Sequence, residues 1–301
     1  MKKVQVKYSL LLALGALIWG LAFVAQSKGM DYVGPFTFNG LRSFIGAAVL
    51  APFATLIDIK EGVLTSWKSK KLWVAGLVCG VVLFLATSSQ QIGIVSTSAG
   101  KSGFITSLYI VLVPIFSLAL RKKPGKFIWI SISLALVGLY FLCVSDTFSL
   151  QLTDLWLFAC AALFALQIIA VDVFAPDLDV IKLSCLQFLV TGVLSIIPLI
   201  TERPQMSAIQ GCLVPLLYAG VFSSGVAYTL QMEGQKRVDA SVASLIMSLE
   251  SVFSAVFGFI ILHERLSARE LTGCIIMFTA VILAQLVPQK KGELGDRKKA
   301  K

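Results

Sequence analysis

The chain has 301 residues, of which 57% are hydrophobic and 14% charged, with a mean hydropathy of +0.87 and a formal net charge of +10. Apolar surface on that scale exceeds what a soluble core can hide, so a soluble globular class is excluded and a polytopic membrane protein is indicated. The net positive charge raises the question of a nucleic-acid partner, which the position of the charges answers.

In chain order, apolar runs predict membrane-spanning helices at 8–27, 35–57, 72–92, 97–120, 126–144, 153–174, 180–200, 211–233, 240–262 and 268–287. Each run is long enough to cross the hydrocarbon core, which takes about 20 helical residues. Lys2, Lys3 and Lys7 precede the first run. That run outlasts a signal-peptide core and lacks a small-x-small cleavage pattern, so it is read as a span. The fold class expected is therefore all-α, with about ten transmembrane helices.

The spans fall into two matching sets. Ala86, Gln90, Gly93 and Ala99 recur as Ala227, Gln231, Gly234 and Ala240, and Gly46 and Pro52 recur as Gly192 and Pro198. Five spans per half is an odd number, so the second half would enter the membrane the other way up. Inverted repeats of this kind build secondary transporters, with the substrate site between the halves near the midplane. The expected organisation is a first five-helix repeat over 1–144, a second, inverted one over 145–287 and a basic tail over 288–301.

Most Lys and Arg residues collect on one side. They lie at the N-terminus, at Lys60, Lys68, Lys70 and Lys71, at Arg121, Lys122, Lys123 and Lys126, at Lys182, Lys236 and Arg237, and in the tail. By the positive-inside rule this puts both termini in the cytoplasm and makes the chain a multi-pass protein of the cell membrane. The charge marks topology, so no nucleic-acid partner is expected. The partners expected are a lipid bilayer and a small organic metabolite, with possible proton coupling, the chain acting as a monomer or homodimer. The six cysteines all lie in apolar runs and read as packing residues.

Several residues together resemble a known family. They are Trp19-Gly20, the stretch from Pro35 to Arg42, Ser248-Leu249-Glu250, His263-Glu264-Arg265-Leu266-Ser267 and Gly273. In these the chain is similar to the EamA-like family of the drug/metabolite transporter superfamily, over essentially its whole length. The resemblance implies a transporter of small organic metabolites, often an exporter of amino acids or related compounds. Two departures stand out. Ser251 follows the ninth-span Glu where the family usually has Pro, and Lys122-Lys123 replaces an acidic residue often found after the fourth span.

Ionisable groups inside a membrane are costly and mark pathways or buried contacts. Glu250, mid-way along the ninth span, reads either as a proton carrier or counter-charge for a substrate ammonium, or as a structural carboxylate bonded to a neighbouring helix. The repeat shift carries Glu250 onto Tyr109 in the fourth span. Around Tyr109, Ser98, Ser102 and Thr106 form a polar stripe, matched by Ser241, Ser244, Ser248, Ser251 and Ser254 in the ninth span. Small residues at such spacing pack helices at least as readily as they line a pore.

Gln90 and Gln231 correspond across the repeat and have same-face partners in Thr87 and Tyr228. They read as gates at opposite mouths or as interfacial polar residues. Gln26 and Asp172 correspond similarly, Asp172 close to the cytoplasmic surface. Arg42 has no charged counterpart, shares a face with Asn39 and Gly46, and needs a carboxylate, a carbonyl, water or a substrate anion. With Lys101, which could equally snorkel to the interface, it would favour a carboxylate-bearing solute. Trp19 is a candidate substrate cap or a packing aromatic. The candidate substrate-binding set is thus Glu250, Tyr109, Arg42, Trp19, Gln90, Gln231, Tyr228 and Ser248.

Ala99-Gly100-Lys101-Ser102 imitates the end of a phosphate-binding loop, but Val95 stands where the motif requires Gly. The sole histidine, His263, has no zinc-type cluster around it, and no paired nucleophile and base is recognisable. No metal, no cofactor and no enzymatic activity are expected. A secondary transporter working by alternating access, an exporter of amino acids or related metabolites by the resemblance, is favoured over a passive facilitator or an uptake permease for a carboxylate-bearing metabolite.

Overall fold

A computed structural model of the chain describes residues 2–61, 66–95, 99–121, 124–144, 151–261 and 267–286. Ten helices are long and apolar enough to cross a membrane. They are α1 (Lys2–Gly29), α2 (Pro35–Glu61), α3 (Lys70–Val95), α4 (Ala99–Ser107 and Tyr109–Ala119), α5 (Lys126–Cys143), α6 (Leu155–Phe174), α7 (Val180–Glu202), α8 (Leu213–Leu217, Tyr218–Ala227 and Tyr228–Gln235), α9 (Ala240–Met247 and Leu249–Ile261) and α10 (Ala268–Leu286). All ten expected spans are present, with ends displaced by a few residues. The tail, His263 to Leu266, Lys122-Lys123, Ser98 and the Lys101 side chain fall outside the described residues.

The helices turn polarity inward, the reverse of a soluble bundle. On α7, Ser184, Gln187, Thr191 and Ser195 are fully buried, while Val193, Ile197 and Ile200 point outward. Hydrocarbon solvates Val and Ile as well as a core does, but it cannot hydrogen-bond Gln, so the polar stripe goes to the helix contacts.

The chief pairings are α2 with α7, α5 with α10, α3 with α6 and α7, and α1 with α9. Exchanging the two halves carries these onto one another or onto α8 with α1, α8 with α2 and α4 with α6, all of which are present. The repeated sequence thus produces a repeated set of contacts.

Glycines fix two crossings where backbones touch. A Cβ on Gly273 would lie 2.6 Å from the Leu142 nitrogen and 2.7 Å from the Gly138 carbonyl oxygen, so α10 meets α5 backbone to backbone. A Cβ on Gly20 would lie 2.5 Å from the Phe253 Cβ, so α1 seats against α9 there.

The α2–α7 pair is tied at both ends by charge. At one end Lys182 on α7 forms a buried ion pair with Asp58 on α2, with Asp179 3.4 Å away and the Trp67 ring 5.9 Å below. At the other end the Glu202 carboxylate accepts from the Phe36 and Thr37 backbone N–H groups at 2.9 and 2.7 Å and from the Thr37 hydroxyl at 2.6 Å. Glu202 thereby caps the start of α2, where orphan N–H groups and the helix dipole favour an anion.

Two outcomes follow. Gly273→Leu should destabilise the bundle by roughly 1–3 kcal/mol through forced separation of α5 and α10, read as a lower Tm in detergent. Lys182→Met should cost about 3 kcal/mol by taking a buried cation away from Asp58. Adding Asp58→Leu should then restore part of the lost Tm.

Candidate functional site

Helices α4 and α9 each break mid-way, at Leu108 and Ser248, which lie almost one repeat shift apart. Tighter three-residue turns cross both breaks, with Val111 N–H donating to the Leu108 carbonyl and Ser251 N–H to the Ser248 carbonyl. In α9 the Ser244 and Ser248 hydroxyls donate to the Ser241 and Leu245 carbonyls on the turns beside the break.

The two breaks face each other. The Ser107 and Ser251 hydroxyls meet at 2.9 Å, and the Tyr109 hydroxyl donates to Glu250 Oε1 at 3.1 Å. Those two residues are 141 positions apart, the spacing of the repeat. The pair that sequence correspondence put at equal depth is therefore in direct contact, each residue opening the second piece of its broken helix.

Next to this contact is a small cavity. Trp19, Phe23 and Gln26 of α1, Arg42 of α2, Gln90 of α3, Tyr109 of α4, and Phe164, Gln167 and Ile168 of α6 line it. Ser223, Tyr228 and Gln231 of α8 and Met247 and Glu250 of α9 complete the wall. Both halves contribute.

Arg42 is 4% exposed and is held by neutral groups. Its Nε and Nη2 donate to Asn39 Oδ1, each at 3.2 Å, and its Nη1 donates to Gln26 Oε1 at 3.1 Å. Asn39 is fixed in turn by donating to the Ser88 hydroxyl at 3.2 Å. The Phe38 ring lies 5.8 Å from the guanidinium. No carboxylate bridges to Arg42 among the described residues, and two of its five N–H groups are left for the cavity. Tyr228 stands within electrostatic reach of both Arg42 and Glu250 and packs edge-on against Trp19 and Phe188, at 4.9 and 5.1 Å between ring centres.

Of the sequence-derived candidates, Glu250, Tyr109, Arg42, Trp19, Gln90, Gln231 and Tyr228 all reach this wall. Ser248 does not: it is fully buried and its hydroxyl is spent on the Leu245 carbonyl, so it shapes the break. Gln90 and Gln231 line the same cavity. Thr87, expected beside Gln90, donates back to the Leu83 carbonyl at 2.7 Å. Asp172 is buried rather than surface-solvated. The other polar wall residues are Gln26, which the repeat sets against Asp172, and Gln167 and Ser223, which sequence reasoning misses.

A helical bundle with a polar cavity walled by both of its halves defines a membrane transporter by class. The chain belongs to the EamA-like transporter family, which matches residues 6–144 and again 151–286. It is 30% identical over 276 residues to a protein of Archaeoglobus fulgidus named as an uncharacterized transporter, covering 91% of this chain and 84% of the other. It is 23% identical to the uncharacterized transporter YoaV of Bacillus subtilis over 89% of this chain and 92% of that one. A chloroplastic WAT1-related protein of Arabidopsis thaliana is 25% identical over 88% of this chain. A solved crystal structure shares the fold with a TM-score of 0.78 at 19% identity, over 93% of this chain and 97% of the other.

Tyr109→Phe should keep the fold, since the ring is retained, but lower transport about 10-fold by removing the one hydrogen bond that orients Glu250. Flux in proteoliposomes, normalised to folded protein, checks this.

Proposed function

We propose that the chain is a secondary transporter that moves small organic metabolites by alternating access around this cavity, exporting amino acids or related compounds. The observation that carries the reading is the charge layout of the wall. A buried guanidinium held only by neutral amides is costly in a low-dielectric interior and is stabilised by an incoming anion. A solute carboxylate, bidentate on the free N–H groups of Arg42, meets that need. Glu250, with Tyr109 on its Oε1, then stands ready for an ammonium or for a proton. A solute carrying both charges is an amino acid or a close relative.

In this reading the repeats over 1–144 and 145–287 are inverted, since each contributes five crossings. Arg42, Trp19, Gln90, Tyr109, Tyr228, Gln231 and Glu250 form the substrate site. Both termini lie in the cytoplasm of a cell-membrane protein, on the bias of its Lys and Arg residues. Export as the direction rests on the family resemblance of the sequence motifs alone.

A second reading, a passive facilitator or an uptake permease for a carboxylate-bearing metabolite, is favoured by Arg42 alone, because a simple carboxylate would satisfy it without engaging Glu250.

Flux in proteoliposomes, with a panel of amino acids and organic acids and with or without an imposed pH gradient, separates these readings. Gradient-driven accumulation of an amino acid by the wild type, lost at least 10-fold in Glu250→Gln with the fold intact, is the expected result. Saturable flux that never exceeds equilibrium and survives Glu250→Gln would select the facilitator.

A further inference from the structure

On the α6–α8 side of the cavity a chain of amides ends at one backbone carbonyl. Gln235 Nε2 donates to the Ile168 carbonyl at 3.0 Å. A carbonyl only accepts, so the Gln235 amide must present its nitrogen there and its oxygen to the next residue. Gln231 Nε2 donates to that oxygen at 3.0 Å and to Gln167 Oε1 at 3.1 Å. Both protons of Gln231 are thus used, and the orientation of every amide in the chain is set by the carbonyl at its root.

Two groups are left over: Gln231 Oε1, an acceptor, and Gln167 Nε2, a donor. Both have no protein partner, both side chains are at most 2% exposed, and both residues line the cavity. A buried amide atom without a partner is costly, so a group that satisfied these two would be stabilised there. They belong to one hydrogen-bonded pair of amides, Gln231 Nε2 donating to Gln167 Oε1.

We propose that Gln167 and Gln231 form a subsite for an uncharged hydrogen-bonding group, a hydroxyl or a carboxamide, on the transported solute. This rests on the reading of the chain as a transporter of amino acids, with Arg42 taking the carboxylate. The solute's polar group accepts from Gln167 Nε2 and donates to Gln231 Oε1 together. An apolar side chain of equal size occupies the same space and leaves both amide atoms unsatisfied, so the site discriminates by hydrogen bonding rather than by volume.

The test is a comparison of isosteres in proteoliposomes: threonine against valine, and asparagine against leucine. Wild type should favour the polar member of each pair by about 10-fold or more in initial rate at low solute concentration. Gln231→Met and Gln167→Met should each bring the polar-to-apolar rate ratio close to one, whatever they do to the absolute rates. Equal rates for the paired solutes in wild type would overturn the subsite and leave the amino-acid reading standing. Ratios unchanged in the Met variants would also overturn it, placing discrimination elsewhere on the wall. Transport of neither member of either pair would overturn both, because the parent reading would then have failed.

Discussion

Hydrocarbon accepts no hydrogen bonds, and the arrangement of this protein depends on that single constraint. Polar side chains in the spans are therefore turned toward the other helices rather than toward lipid. The fully buried stripe of Ser184, Gln187, Thr191 and Ser195 on α7 is one result. The amide chain from Ile168 to Gln167 is another. Polar groups gather at the helix contacts, and the cavity lies where Gln26, Arg42, Gln90, Gln167, Gln231 and Glu250 converge from both halves.

The charges in the interior divide into two kinds. Asp58 and Lys182 neutralise each other, as does Glu202 against the capped end of α2. Arg42 and Glu250 are instead held by neutral neighbours, Asn39 and Gln26 for the one and Tyr109 for the other. A neutral hydrogen-bond partner orients a charge without discharging it, which leaves its field available to a solute.

The sequence made some of this readable and not the rest, for physical reasons. Apolar length is a one-dimensional property, so the ten spans could be placed without tertiary knowledge. The repeat shift that carries Glu250 onto Tyr109 pairs two residues that are hydrogen-bonded in the fold. Arg42 found Asn39 because three residues is a local helical distance. The partners of Lys182 and Gln231 lie 124 and 64 positions away and carry no repeat signature, so neither Asp58 nor Gln167 could be picked out. Lys182 in particular was counted with the cytoplasmic charges, although its side chain is buried. Ser248 misled because a small polar residue beside a functional carboxyl reads as lining, whereas its hydroxyl folds back on its own helix. The widened, five-residue turns of Tyr218–Ala227 in α8 left no mark in residue type.

The ties between α2 and α7 bear on how the protein could move. One helix comes from each half of the polypeptide, yet charge stitches them at both ends and α5 and α10 meet backbone to backbone. Swinging one half as a block past the other would have to tear these seams. A duplication in the gene need not be a joint in the machine, because the firmest seams of this fold join helices of mixed parentage.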